Sequence, residues 1–248
     1  MKTQIIFATL LVASTGMSLR AADNDPLPDA NTVVATMLQH DAQRRTLADG
    51  YQGMRRYVLE NDRMHKQAKL VARVEAESNG AKHFEIIEED GWKAAGKHVF
   101  RKMLASEEEA SSPQERPKTQ VAPQNYDFRM VGTETIAGRS TYAIDVTPKR
   151  SEERLFAGRI WIDAQDYALV RVEGKPAKNP SFWIKSIHFV HTYKKRGPLW
   201  FPSSTESLTD VRIFGTTKVT INYFDYAPKP SDISETASAK KLQEPLNK

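Results

Sequence analysis

The sequence contains no cysteine among its 248 residues. This absence excludes disulfide bonds, thiol catalysis and thiolate metal sites, and it also excludes the cysteine that carries the lipid anchor of bacterial lipoproteins. Three common catalytic or nucleotide-binding motifs are missing as well, namely the Gly-Lys-Ser/Thr loop, the Gly-x-Ser-x-Gly elbow and the Gly-x-Gly-x-x-Gly turn. We therefore expect a protein that is not an enzyme and that has no catalytic residue.

Long apolar runs are confined to the N-terminus. The apolar stretch 5–19 follows Lys2 and precedes Arg20 and the small residues Ala21 and Ala22. This layout is typical of a secretory signal peptide, although Arg20 also fits the stop-transfer charge of an uncleaved anchor. We expect cleavage after Ala21 or Ala22, location in the periplasm, and no stable membrane anchor, because no later segment is apolar over eighteen residues.

The chain also has little excess charge and no clustered metal ligands. Its formal net charge of +5 is too small to indicate nucleic-acid binding. His188 and His191 lie three apart in a predicted strand, so they would point to opposite faces and could not share a metal ion. Asp163 and Asp166 flank a turn, where such side chains usually bond backbone amides. We expect no metal site and no cofactor.

Helical periodicity occurs in two places. Apolar residues recur on one face from Asp29 or Asn31, either of which can cap the helix, to Leu47. A second stripe, Trp92, Ala95, Val99 and Met103 with Phe100 and Leu104 beside it, predicts a helix from Trp92 to Leu104. The following Glu/Ser/Pro-rich segment, 105–124, predicts a mobile loop because it buries little apolar surface.

Alternation with a period of two predicts about ten antiparallel strands. So wide a twisted sheet curls towards closure, which predicts a mainly β (α+β) fold: a half-open antiparallel barrel of about ten strands whose concave face is covered by the two helices. We expect one domain over 29–227, preceded by a signal peptide (1–21) and a linker (22–28) and followed by a disordered tail (228–248). The predicted strands are the segments around Tyr57, Leu70–Ala76 and Phe84–Ile86, then Tyr126–Thr135, Ser140–Thr147, Phe156–Asp163, Ala168–Gly174, Phe182–Lys195, Trp200–Asp210 and Ile213–Tyr226.

Several motifs in the second half resemble those of one known family. They are Asn125-Tyr126-Asp127-Phe128, Gly138-Arg139-Ser140-Thr141-Tyr142, Gly158-Arg159-Ile160-Trp161-Ile162-Asp163, Tyr193, Trp200-Phe201-Pro202-Ser203 and Thr220-Ile221-Asn222-Tyr223, with Tyr51-x-Gly53 near the start. Together they resemble the LolA/LolB-like outer-membrane lipoprotein-sorting superfamily. That resemblance implies an unclosed antiparallel barrel, a helical lid and an apolar cavity for acyl chains. The missing cysteine argues against its membrane-anchored branch and leaves a soluble carrier or a sensor.

The resulting hypothesis is periplasmic binding and transport of apolar ligands, with lipids or lipoprotein acyl chains as partners and an outer-membrane lipoprotein-sorting role. The predicted ligand-binding residues are the apolar side chains expected on the inner sheet face and under the helices. They are Val34, Met37, Leu38, Tyr57, Leu59, Leu70, Val74, Phe84, Ile86, Val99, Met103, Ile144, Ile160, Val170 and Ile221. Simple packing of these side chains against one another is the competing interpretation, since periodicity does not distinguish a core from a cavity.

Two further alternatives concern polar and aromatic side chains. The pair Arg55-Arg56 is most simply two surface arginines on a strand, although one of them in the interior would tie the lid shut. The protein could also be an envelope regulatory or interaction module that senses lipoproteins or binds a partner protein without carrying lipid. Exposed aromatic residues would support that module, and Phe182 and Trp183 are the candidates because alternation places them on opposite faces of their strand.

Overall fold

The computed structural model of the protein describes residues 26–47 and 49–229. The predicted signal peptide lies outside these residues, as does the predicted tail beyond residue 229. Within the described segments, no helix combines the length and apolar character needed to cross a membrane. The ten strands are β1 (Gly50–Asn61), β2 (Lys66–Glu77), β3 (Lys82–Gly91), β4 (Tyr126–Ile136), β5 (Arg139–Pro148), β6 (Phe156–Asp163), β7 (Leu169–Pro176), β8 (Ile184–Arg196), β9 (Leu199–Val211) and β10 (Gly215–Pro228).

All ten strands form one antiparallel sheet in the order β3-β2-β1-β10-β9-β8-β7-β6-β5-β4. Eight of the nine strand pairings join strands that are consecutive in the sequence, and the ninth pairs β1 with β10. The sheet stays open, with β3 and β4 as its two edges. The predicted half-open antiparallel architecture is confirmed, and the strand bounds differ from the predicted ones by only a few residues.

The first helix, α1 (Ala30–Arg45), begins where the sequence predicts. The Asp29 carboxylate caps it by accepting a hydrogen bond from the Thr32 backbone N–H at 3.0 Å, which satisfies one of the donors left free at a helix start. The predicted end is wrong, since the helix stops at Arg45 and Leu47 is 59% exposed. Leu47 therefore does not belong to the apolar face.

The second helical segment, residues 93–111, is longer than predicted. It consists of α2 (Lys93–Ala95), a π-helical turn (Gly96–Phe100) and α3 (Arg101–Ser111) without a break, and α4 (Arg116–Thr119) follows as a single turn. The prediction of a loop over 105–124 is therefore wrong for 105–111 and 116–119. Low hydropathy gives no helical signal here because this part of the helix is held by charged and polar contacts to β1 and β3.

The π-helical turn changes which side chains face the sheet. A π turn holds one residue more than an α turn, so the buried positions are spaced five residues apart across it. Ala95, Phe100 and Leu104 are buried, whereas Val99 and Met103 on the predicted stripe are only partly buried. The sequence prediction assumed a constant helical period and therefore assigned two wrong side chains, Val99 and Met103, to the buried stripe.

Both helices cover the same face of the sheet, here called the inner face. Cross-strand pairing links Tyr57 of β1 in succession to Ile221, Thr205, His191, Val172, Ile160 and Ile144 of the neighbouring strands. Because alternate residues of a strand share a face, this row defines the inner face across seven strands. The row is apolar at both ends and polar in the middle, on β8 and β9.

The apolar core accordingly consists of two main clusters, besides a small third one. One cluster packs Val33, Val34 and Met37 of α1 against β4 to β7, and the other packs Phe100 and Leu104 of the second helical segment against β1, β2 and β10. The polar strip of β8 and β9 lies between the two clusters. The candidate functional site lies on this strip.

Candidate functional site

A cavity of about 520 Å³ opens between the C-terminal end of α1, α4 and the central strands. Its apolar wall includes Leu169, Leu199 and Phe201, and its polar wall includes His191 and Tyr193. A space of this size is within the range of small-ligand sites. It occupies the strip of the inner face that neither core cluster covers.

Arg55 of β1 reaches into this site and is completely buried. Its Nε donates to the Tyr226 hydroxyl at 2.9 Å, and its Nη1 donates to Glu107 Oε2 at 2.7 Å. The guanidinium carbon lies 4.9 Å from the centre of the Phe84 ring and 4.8 Å from that of Tyr223, so aromatic rings flank the charge. Arg55 thus links the sheet to the second helical segment, which carries Glu107.

Gly53 makes the Tyr226 contact possible. A Cβ atom at Gly53 would lie 2.5 Å from the Tyr226 ring, a distance that real contacts do not reach. The absent side chain allows the ring to lie over β1, where its hydroxyl accepts the Arg55 hydrogen bond. The contact with the Tyr226 ring therefore explains why the Tyr51-x-Gly53 motif has a glycine.

Glu107 balances two cations. Besides Arg55, it accepts a hydrogen bond from the Lys82 ammonium of β3 at 2.7 Å. Burial opposes ionisation of this carboxyl, but Lys82 and Arg55 more than offset burial and hold the pKa of Glu107 well below its ordinary value. Burial likewise opposes the charge on Lys82, whose pKa Glu107 nevertheless raises above its ordinary value. All three groups are therefore charged at neutral pH.

The interpretation of Arg55-Arg56 as two surface arginines is wrong for Arg55 and right for Arg56, which is exposed beside the Phe224 ring. The alternation of inner and outer residues along β1 identifies Arg55 as the buried arginine. Tyr57 and Leu59 lie on the inner face, so Arg55 shares their phase and Arg56 does not. The partner of Arg55 is 52 residues away in sequence, and no local pattern indicates Glu107.

His191 lies in the polar strip near this network. Its Nδ1 contacts the Thr205 hydroxyl, which is 2.9 Å from the Tyr223 hydroxyl. Burial, with Lys82 and Arg55 nearby, lowers the pKa of His191 from its ordinary 6.5 to about 4. His191 is therefore neutral at pH 7 and accepts or donates hydrogen bonds without adding charge to the cavity.

This lowered pKa predicts a pH-dependent stability. Between pH 6.5 and about 4, the unfolded chain protonates His191 but the folded protein does not, so the free energy of unfolding falls as the pH falls. Replacing His191 with Gln should flatten the profile in that window. Urea denaturation at successive pH values measures it, with His188→Gln as control, since His188 is exposed on the opposite face. Parallel profiles for the native protein and H191Q would contradict the prediction.

The fifteen predicted ligand-binding residues lie around the cavity and do not line it. They form the two core clusters, with Val74 in a third small cluster beside Phe201 and Tyr226, and with Val170 buried on β7. Under α1 are Val34, Met37, Leu38, Ile144 and Ile160. Under the second helical segment are Tyr57, Leu59, Leu70, Phe84, Ile86, Val99, Met103 and Ile221.

Asp163, one of the two turn carboxylates discussed in the sequence analysis, has a structural role. Asp163 is buried and accepts hydrogen bonds from Arg139 and from the backbone N–H groups of Gln165 and Asp166, at 3.0 and 2.8 Å for the last two. This is the turn-stabilising role that the spacing predicts. In the described part of the chain, no three His, Asp or Glu side chains are grouped to hold a metal ion.

Comparisons with known proteins concern the fold and one region of the sequence. Residues 105–227 match a family of unknown function (DUF5686). No curated protein matches the sequence.

Three solved structures are similar to the chain. A LolA superfamily protein from Nitrosomonas europaea is 9% identical, covering 84% of this chain and 97% of that one, with a TM-score of 0.45. An outer membrane lipoprotein-sorting protein domain from Vibrio parahaemolyticus is 12% identical over 83% and 97%, with a TM-score of 0.37. MucB of Pseudomonas aeruginosa, in its complex with MucA, is 12% identical over 79% and 99%, with a TM-score of 0.28.

Proposed function

We propose that the protein is a periplasmic carrier that binds lipids or lipoprotein acyl chains in outer-membrane lipoprotein sorting. The observation that carries this proposal is the cavity between two helix-covered apolar clusters, bordered by a charged link between one helix and the sheet. Binding requires only burial, because each acyl CH₂ removed from water contributes about 0.8 kcal/mol. No chemical step is involved.

Ligand entry requires a movement of the helices. Leu38 of α1 and Ile86 of β3 pack in the core clusters under α1 and under the second helical segment respectively, so an acyl chain reaches them only when those helices move outward. The second helical segment is held to β1 and β3 by Glu107, by the Ser111 hydroxyl and by an ion pair between Arg101 and Glu89 at 2.6 Å. The Arg101–Glu89 pair lies at the surface, where ion pairs are individually weak, so the contacts of Glu107 with Arg55 and Lys82 are the stronger part of this attachment.

The proposal is tested by the lipid content of the protein purified from its own host. Native mass spectrometry and organic extraction should show phospholipid or acylated peptide in a fixed molar ratio. An empty protein that also fails to take up palmitate or phospholipid in vitro would overturn the carrier proposal.

Adjacent isoleucines on β3 provide a matched pair of variants. Ile86 packs in the cluster under the second helical segment, whereas Ile87 is 47% exposed on the other face. We expect Ile86→Asp to weaken lipid uptake several-fold and Ile87→Asp to leave it unchanged, because a buried carboxylate opposes acyl-chain binding. Leu38→Asp tests the α1 side in the same way. Circular dichroism must first show that each variant is folded, and equal uptake by I86D and I87D would contradict the expectation.

A second candidate function is partner binding without lipid transport. Phe182 and Trp183 are 77% and 53% exposed, and they precede β8, so their predicted place within that strand is wrong. Exposed Ile213 and Phe214 in the β9–β10 turn lie at the same end of the sheet, since Arg212 donates to the Phe182 carbonyl. Exposed apolar groups of this kind favour protein contacts. Loss of one specific envelope partner on replacing Phe182 and Trp183 with Ser, with lipid uptake absent, would select this function.

A further inference from the structure

The cavity rim carries two arginines that lack an acidic partner within the described chain. Arg45 lies in the last turn of α1, and Arg116 lies in α4. Both line the cavity, and neither has a carboxylate within salt-bridge distance among the described residues. Arg116 donates only to the Asn79 carbonyl, at 2.5 Å.

The carboxylates that line the cavity are already engaged. Asp41 pairs with Arg44 at 2.5 Å, Glu107 pairs with Arg55 and Lys82, and Glu77 lies 3.4 Å from the His83 ring. The charge of Arg45 and Arg116 is therefore not balanced from within the site. Burial and the nearby Arg45 lower the pKa of Arg116, which shows that the two cations repel each other.

Two features concern the placement of this charge. Arg116 Nη1 lies against Gly80, which has a positive φ of +93°, only 2.1 Å from where a Cβ atom would stand. Deeper in the cavity, Arg55 Nη2 is buried and has no hydrogen-bond partner among the described residues. A buried guanidinium donor without a protein partner is costly, and a ligand oxygen that reaches Arg55 would satisfy it.

We propose that the ligand of this cavity is an amphiphile with an anionic head group, held at the rim by Arg45 and Arg116 while its apolar part contacts Leu199 and Phe201. A carboxylate or phosphate oxygen accepts charge-assisted hydrogen bonds from these guanidinium groups. Oxygen atoms nearer the acyl chain reach the free donor of Arg55. This inference rests on the proposed carrier function and specifies its ligand class.

The test compares two amphiphiles with the same chain, palmitate and monopalmitoyl glycerol, by calorimetric titration of the full-length protein. We expect palmitate to bind more tightly than the uncharged glyceride. The double variant R45Q/R116Q should weaken palmitate binding by about tenfold and leave glyceride binding within about twofold, since only the anion uses the guanidinium groups. The control is Arg63→Gln, which removes an exposed arginine at the opposite end of the sheet, in the β1–β2 turn.

The outcomes separate this inference from the carrier function. Equal affinities for palmitate and glyceride, or an equal loss of palmitate binding in R63Q, would overturn the anionic head group and leave a carrier of neutral lipids. Inorganic phosphate that binds as tightly as palmitate would assign the rim to a free anion and would also overturn the inference. If no amphiphile binds, the carrier function itself fails.

Discussion

Replacing Phe100 with Ala is expected to lower the free energy of unfolding by about 3–4 kcal/mol, the usual cost of removing a buried aromatic side chain. Phe100 is completely buried in the π-helical turn, with its ring centre 5.9 Å from that of Tyr57. It is the largest fully buried side chain of the second helical segment, and it packs in the cluster that covers β1 and β2. Urea denaturation followed by tryptophan fluorescence measures the change.

Phe182→Ala is the control for this substitution. Phe182 is 77% exposed, so the same truncation there should change stability by less than about 0.5 kcal/mol. If F100A loses less than about 1 kcal/mol, the second helical segment is not docked on the sheet in solution. The carrier proposal would then need no opening movement of that segment.

Glu107→Gln is expected to destabilise the protein by about 2 kcal/mol. Removing one partner of a fully buried ion pair costs about 3–5 kcal/mol, because the other charge remains in the interior. Glu107 is 34% exposed, so water partly compensates Lys82, whereas Arg55 is inaccessible and loses its carboxylate. Hydrogen exchange should accelerate in the second helical segment, which Glu107 attaches to the sheet.

Two further variants make this result specific. Glu109→Gln lies in the same helix but is 61% exposed beside Arg154, so its effect should be below about 0.5 kcal/mol. Adding Arg55→Met to E107Q should restore part of the lost stability, because the buried unpaired charge is then gone. A double variant that is less stable than E107Q alone would show that Arg55 stabilises the fold through its aromatic and tyrosine contacts instead.

The architecture could be predicted from the sequence because local sequence patterns determine most of it. Alternation and turn residues such as Ala137-Gly138 placed all ten strands, and the Asp29 cap placed the start of α1. Hairpin connections then fix most of the strand order, because consecutive antiparallel strands pair with each other. The pairing of β1 with β10 is the one long-range step, and no local pattern in the sequence indicates it.

The site was less accessible because its components meet only in three dimensions. Glu107 was assigned to a loop, and its pairing with Arg55 depends on the packing of the second helical segment. The fifteen apolar candidates were identified by alternation, which reports the inner face and gives no information on where that face is filled. The polar strip was not predicted, because only the strand register places His191 beside Thr205.

The open sheet also bears on self-association. Its edges β3 and β4 present backbone groups with no strand beside them, and such edges can pair with another copy of the same chain. The outer part of β3 ends in Glu88, Glu89 and Asp90, all exposed. Stacking β3 strands in parallel register would place Glu88, Glu89 and Asp90 beside their own copies, and like charges directly opposite each other are destabilising. The edge that lies beside the Lys82–Glu107 contact is therefore protected against fibre-like growth by its own negative charge.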